Sequence, residues 1–311
     1  MQINEAGVAV TRVVGLFLGG TILALASVIV PWLLISHATV DWLAFATSGV
    51  LAAIPVVAGL IYTFVRPDGR LAVTLFALGF LIAFGPICTA LNYALIPMAG
   101  SRIDGLLVKM DLLIGFDWQT AFFALAKYPL LVWLLGVAYA ISAFQVAVPV
   151  IVLGYNGEPK EIFGLCIATV ICALSTIAFW TWHPSMGPTS LYDMAELGKR
   201  AGINFDVDYS GFLAGVLDNG IPPLNPTNSQ GLVAFPSFHT QELIIALWYV
   251  RKQGLVFYGL AAFSLLAFLA IPVQGGHHLV DMIGGAIWAA IGIALSQMLT
   301  RRLTRGLAVA Q

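Results

Sequence analysis

The chain has 311 residues, of which 60% are hydrophobic and 9% charged. A soluble domain carries about 25% charged residues, so too little charge is present to cover an aqueous surface. The net charge of −1 offers no basic stripe that could neutralise a phosphate backbone, which excludes nucleic acid as a partner.

Apolar runs fall at about 13–36, 42–65, 71–98, 128–154, 162–183, 234–250, 254–274 and 278–300. A helix needs about 20 residues to cross a hydrocarbon core about 30 Å thick. The expected fold is therefore all-α, a polytopic membrane helical bundle of about eight transmembrane helices. The first run is longer than a signal-peptide core and lacks a small-residue cleavage pattern, so it is expected as a retained helix. Cys88, Cys166 and Cys172 all lie within apolar runs, where a free thiol acts as a small hydrophobe, and no disulfide is expected.

An even number of spans puts both termini on one side. With cytoplasmic termini, that face holds Arg12, Arg66, Arg70, Lys160, Arg251, Lys252, Arg301, Arg302 and Arg305. The opposite face holds Arg102, Lys109, Lys127, Lys199 and Arg200. Cytoplasmic loops carry the excess of Lys and Arg, which makes the second face the outer one, periplasmic or lumenal.

Two outer segments are too polar to span. The first, SRIDGLLVKMDLLIGFDWQ at about 101–119, has Ile103, Leu106, Leu107, Met110 and Ile114 at helical spacing against Asp104 and Asp111. It is expected as an amphipathic helix in the headgroup plane. The second, about 184–233, opens on PSMGPTSLYDM and later contains NGIPPLNPTN. Its Pro, Gly and Asn content predicts an irregular loop folded over the site. No internal repeat and no separable soluble domain is evident.

Ionisable side chains in spans are costly and therefore point to function. His239 and Glu242 open the sixth span in FPSFHTQE, and His277, His278 and Asp281 open the eighth in GGHHLVD. His277 and Asp281 are four apart and share a helix face, so the carboxylate can fix the imidazole tautomer. An imidazole held this way is a competent nucleophile towards phosphorus, and His239, titrating near neutrality, can act as general acid to the leaving oxygen.

Helix starts favour a phosphate through unpaired amides and the dipole. Ser237 can offer a hydroxyl to a phosphate oxygen, and Gly275 and Gly276 let backbone approach closely. A lone interfacial His is more often a polar interfacial residue than a catalyst; two such segments on one face argue for catalysis. His278, about 100° from His277 on a helix, is expected to be a packing or headgroup residue. Glu242 either bonds His239 or faces a polar cavity. Trp180, Trp182 and His183 read as an aromatic belt, and His37 as inert.

These residues resemble the type 2 phosphatidic acid phosphatase superfamily, whose second motif centres on PSGH and whose third reads SR, five residues, His, three residues, Asp. FPSFH matches the second with Phe238 in place of Gly, and His277 to Asp281 matches the end of the third. The third motif's Ser and Arg fall on Ala270 and Ile271, and the first motif, Lys, six residues, Arg-Pro, is absent. The resemblance implies a six-helix lipid-phosphatase-like core at 71–311, with 1–70 as two additional helices. It implies His239 as general acid, His277 as the nucleophile forming a phosphohistidine and Asp281 as its orienting partner.

The inositol phosphorylceramide synthase-like branch, similar to sphingomyelin synthases, shows the same loss of basic motifs. Pro184 to Pro188 and the aspartate-bearing segment before LIGFDW resemble that branch. The phosphate must then be held otherwise, by Lys199 and Arg200 in the loop where the first motif would fall, or by Arg102 and Lys109.

The function expected is a membrane phosphatase for a lipid-linked phosphate, with neither metal nor other cofactor. Phospholipid, sphingolipid and polyprenyl phosphate are the candidate substrates, and transfer to an alcohol is the alternative. A proton-coupled transporter places its ionisable groups at mid-depth, whereas these cluster at one face. The missing cations also fit a lipid-binding pseudoenzyme.

Overall fold

The computed structural model describes residues 5–201, 212, 215–216, 219–226 and 231–305. These are helical apart from turns, loops and one isolated bridge between Val40 and Leu224. Three long helices come first: α1 (Glu5–Ile35), α2 (Trp42–Phe64) and α3 (Gly69–Ala94). Two short ones follow, α4 (Asp104–Leu113) and α5 (Trp118–Ala126). The rest are α6 (Pro129–Ser142), α7 (Ala147–Tyr155), α8 (Pro159–Trp182), α9 (Met194–Ala201), α10 (Phe238–Val250), α11 (Leu255–Gln274) and α12 (Leu279–Arg305).

Six of the eight expected spans, α1, α2, α3, α8, α11 and α12, are single helices long and apolar enough to cross a membrane. The other two differ, each for a reason visible in the sequence. The fourth is broken into α6 and α7. Pro149 has no N–H to give the Gln145 carbonyl and its ring crowds that group. The break stays satisfied through three-residue turns, Phe144 to Ile141, Gln145 to Ser142 and Ala147 to Phe144. The Gln145 side chain donates to Ser264 Oγ at 2.6 Å, which ties the break to α11. Non-helical backbone at membrane depth needs its polar groups bonded in this way, and in the break Gln145 and Val146 are buried while Phe144 is exposed. α5 and α6 together also pass as a span, bent by 115°.

The sixth span is shortened to the 13 residues of α10, about 20 Å of helix. Ser237 caps α10, and the chain reaches that cap through the non-helical residues 231–236. Ala234 N–H donates to the Ser185 carbonyl at 3.0 Å and Phe235 N–H to Ser185 Oγ at 2.6 Å.

α8 is the axis of the bundle, packed by α3, α10 and α12, and its apolar window is 67% buried against 11% for α2. α1 and α2 sit at the periphery, where Leu16, Leu23, Leu43 and Ile54 are exposed as lipid-facing side chains. α3 is their bridge to the rest, contacting α1, α2, α7 and α8.

At one end of the bundle, Ile29, Leu33, Ala94, Ile96, Trp180, Met186, Leu224 and Leu232 form one core. This gathers the ends of α1, α3 and α8 under the second loop, of which 202–211, 213–214, 217–218 and 227–230 lie outside the described residues. At the opposite end, Gln253 joins Asn156 at 2.6 Å and Glu158 at 3.1 Å.

Candidate active site

α11 ends at Gln274, and the chain turns through Gly275 to His278 into α12. Gly276 has φ +61°, and a Cβ there would lie 2.7 Å from Thr189 Cγ2; at Gly187, φ +78°, it would lie 2.0 Å from the Gly276 carbonyl oxygen. Only glycine supplies both the left-handed backbone and the clearance. The PSMGP stretch is thereby pressed directly onto the turn that carries His277.

His277 and Asp281 are buried together, with Nδ1 to Oδ2 at 3.2 Å. The same Oδ2 accepts the His278 N–H at 2.8 Å. With Asp281 ionised, Nδ1 donates to it and Nε2 keeps its lone pair. Burial pushes the His277 imidazole down to about 4, partly opposed by the Ala234 carbonyl. The ring is thus neutral at ordinary pH, the form that can attack phosphorus. Asp281 Oδ1 is buried without a partner.

His239, in the first turn of α10, faces that ring edge-on, with centroids 6.2 Å apart. Its own face stacks on Tyr139 of α6 at 4.7 Å. The two helix starts are locked by Ser237 N–H donating to the Asp281 carbonyl at 3.0 Å. Gln241, one turn on from the cap, donates to Thr176 Oγ1 of α8 at 2.9 Å.

α4 differs from the expectation. It exposes Leu106, Leu112 and Leu113, but Asp104, Leu107 and Asp111 point inward and are buried. The polar face meets protein, because both aspartates have backbone amides to accept. Asp111 Oδ1 accepts from Val280 N–H at 2.9 Å, and Oδ2 from Leu279 N–H at 3.2 Å and from His278 Nδ1 at 3.0 Å. Asp104 Oδ1 accepts from Met186 and Gly187 N–H at 2.8 and 2.9 Å, and Oδ2 from Arg102 Nε at 2.8 Å. One carboxylate holds the histidine turn and the other holds the loop against it.

This arrangement gives several of the expected residues structural partners. The first-turn amides of α12 are taken by Asp111, so that helix start does not present them to a phosphate. The Ser237 hydroxyl oxygen accepts from Thr240 N–H at 3.3 Å and from Thr240 Oγ1 at 3.1 Å, capping α10. Of the two readings for His278, packing or headgroup, its burial fits packing, with Asp111 as its partner. Of the expected aromatic belt, Trp182 and His183 are exposed, while Trp180 is fully buried and donates to the Ser185 carbonyl at 3.1 Å.

Lys199 and Arg200 are exposed at the end of α9, and the Arg200 guanidinium lies 5.2 Å over the Phe123 ring. They are not joined to the histidines by any bond among the described residues. Arg102 is nearer by connection, since it donates to Ser190 Oγ, whose hydroxyl bonds the Gly187 carbonyl. Glu242 does not bond His239. Both line a cavity of about 640 Å³ between α3, α8, α10 and the break after α6.

Sequence reasoning missed the inward role of Asp104 and Asp111 and the contact of Thr189 with Gly276. The seven-residue interval of the aspartates, with Leu107 between them on one helix face, was the available signal. A model of the PAP2 superfamily matches residues 105–295, from within α4 to within α12, and so includes Asp111, His239, His277 and Asp281. No curated protein and no solved structure matches the chain.

Proposed function

This chain belongs to the PAP2 superfamily, and from that premise we propose that it is a membrane phosphatase acting on a lipid-linked phosphate through a phosphohistidine at His277. Membership makes it a phosphatase- or phosphotransferase-type enzyme of the membrane. The observation carrying the finer reading is the buried His277–Asp281 pair facing His239 across 6.2 Å.

In the first step His277 Nε2 attacks phosphorus, the P–O bond to the lipid breaks, and the leaving oxygen takes a proton from His239. Asp281 stabilises the cation that forms on the ring. In the second step water attacks the phosphohistidine, gives its proton to His239, and releases phosphate and neutral His277. Arg102 is the favoured partner for the phosphate charge because it is tied to the Thr189–Ser190 turn beside Gly276; Lys199 and Arg200 are the other candidates.

Transfer to an alcohol, as in the inositol phosphorylceramide synthase-like branch, is the second reading. It is favoured by Asp104 bonding Met186 and Gly187, since α4 and the PSMGP stretch are the two segments carrying the likeness to that branch. An alcohol in place of water in the second step needs no other residue to change role. The Lys and Arg bias orients the site outward, with cytoplasmic termini.

The test is purified protein in detergent with lipid phosphate labelled at phosphorus, quenched during turnover. An acid-labile phosphohistidine is expected, lost together with product in His277→Ala. Full turnover by that variant would remove the reading. Inorganic phosphate as sole product in the presence of a lipid alcohol would exclude transfer.

A further inference from the structure

A general acid must hold its proton until the leaving oxygen takes it, and an imidazole shielded from water holds one poorly unless something beside it favours the cation. The groups around His239 among the described residues are few. His277, in the turn before α12, presents its ring edge-on at 6.2 Å, and Asp281 bonds that ring at Nδ1. Glu242 of α10 and Cys88 of α3 line the cavity next to His239 without bonding it, and α8 gives that cavity Thr169, Ala173, Thr176 and Ile177, none of them ionisable. The remaining side is covered by Tyr139 of α6, stacked on the imidazole with centroids 4.7 Å and planes 30° apart.

Tyr139 reaches the other histidine segment as well. A Cβ at Gly275 would lie 2.9 Å from Tyr139 Cε2 and 2.9 Å from His277 Cδ2. One edge of the ring therefore abuts the backbone leading to His277 while its face covers His239. The ring also packs against the buried cluster of Leu243, Ala267 and Ile271. α6 is tied to the same place by Gln274, at the end of α11, whose Nε2 donates to the Val132 carbonyl at 2.9 Å.

The face of an aromatic ring is negative and attracts a cation, most strongly where water is excluded. We propose that Tyr139 is a positioning residue for the reaction, whose ring face stabilises the protonated form of His239 and keeps that imidazole turned towards His277. It takes for one histidine the place that Asp281 takes for the other. The effect belongs to the ring and does not need the hydroxyl. This inference rests on His239 being the general acid of the function proposed above.

The full-length protein in detergent is compared with Tyr139→Phe, Tyr139→Leu, Glu242→Gln and His239→Ala. The rate of phosphohistidine formation is followed against pH at saturating lipid phosphate and at saturating nitrophenyl phosphate. With the lipid, the alkaline limb reports loss of the His239 proton, and without the ring that proton is lost more readily. Tyr139→Leu should move the limb down by about half a pH unit or more, about threefold in rate above it. Tyr139→Phe keeps the face and should follow the wild type within about twofold. With nitrophenyl phosphate, whose leaving group needs no proton, Tyr139→Leu should form phosphohistidine at nearly the wild-type rate, which also shows that it is folded.

An unmoved limb in Tyr139→Leu, a Tyr139→Phe variant as impaired as Tyr139→Leu, or equal losses on both substrates would overturn the inference. A limb moved by Glu242→Gln and not by Tyr139→Leu would overturn it too, because the proton would then be held by Glu242. In each case a limb that vanishes in His239→Ala leaves the general acid standing. Full rate with the lipid in His239→Ala would overturn both.

Discussion

Two imidazoles of the same intrinsic basicity are differentiated by their neighbours. His277 is anchored by Asp281 on its Nδ1 side, whereas His239 has no carboxylate partner among the described residues and is held by the face of Tyr139. The first arrangement orients one ring through Nδ1; in the proposed mechanism the second ring carries the proton to and from the leaving oxygen. His239→Ala should therefore lower kcat on a lipid phosphate by about 10²–10⁴, the usual weight of a general acid. It should cost much less in phosphohistidine formation from a nitrophenyl phosphate, whose leaving group needs no proton. Burst amplitude and rate on both substrates measure this, and equal losses would remove the general-acid role. His239, His277 and Asp281 were legible in the sequence because charge in an apolar run stands out and the four-residue interval is a local geometric fact. Thr189 was not, because its contact with Gly276 crosses the chain.

α4 shows what an element contributes beyond its residues. The sequence marks it as amphipathic, and it is, but amphipathicity does not say whether water or protein meets the polar face. Here the polar face meets the amides of two other segments. Asp111→Ala would leave the α12 first turn uncapped, about 1 kcal/mol, and would strand buried donors at about 1–3 kcal/mol more. Asp111→Asn, which keeps an acceptor, should lose less. Thermal unfolding in detergent should rank wild type above Asn and Asn above Ala; an Ala variant melting with the wild type would show that the cap does not support the turn. The broken fourth span and the short sixth belong to this scale. Their hydropathy reads as continuous, and Pro149 and Pro236 were the local marks of interruption.

At the scale of the whole molecule, the ends of α1, α3 and α8 gather with the second loop at one pole, and Asn156, Glu158 and Gln253 meet at the other. If the Lys and Arg bias sets the orientation, cysteine introduced at Lys199 will react with a membrane-impermeant thiol reagent in intact cells, while cysteine at Lys252 will react only after permeabilisation. The reverse pattern would place the site inward. The three native cysteines lie in α3 and α8, two of them buried and Cys88 partly so, and replacing them gives a clean background.

Composition and spacing by themselves determined that this chain is a helical membrane protein and that His239, His277 and Asp281 stand at the starts of two helices, because hydropathy, length and helical period are properties of neighbouring residues. Tertiary structure alone decided what surrounds them. The bond from Asp111 to His278 joins residues 167 positions apart. Which carboxylate takes up the α12 amides, which glycine lets the PSMGP loop close and which ring faces His239 depend on packing between distant segments, and no local pattern encodes such a contact.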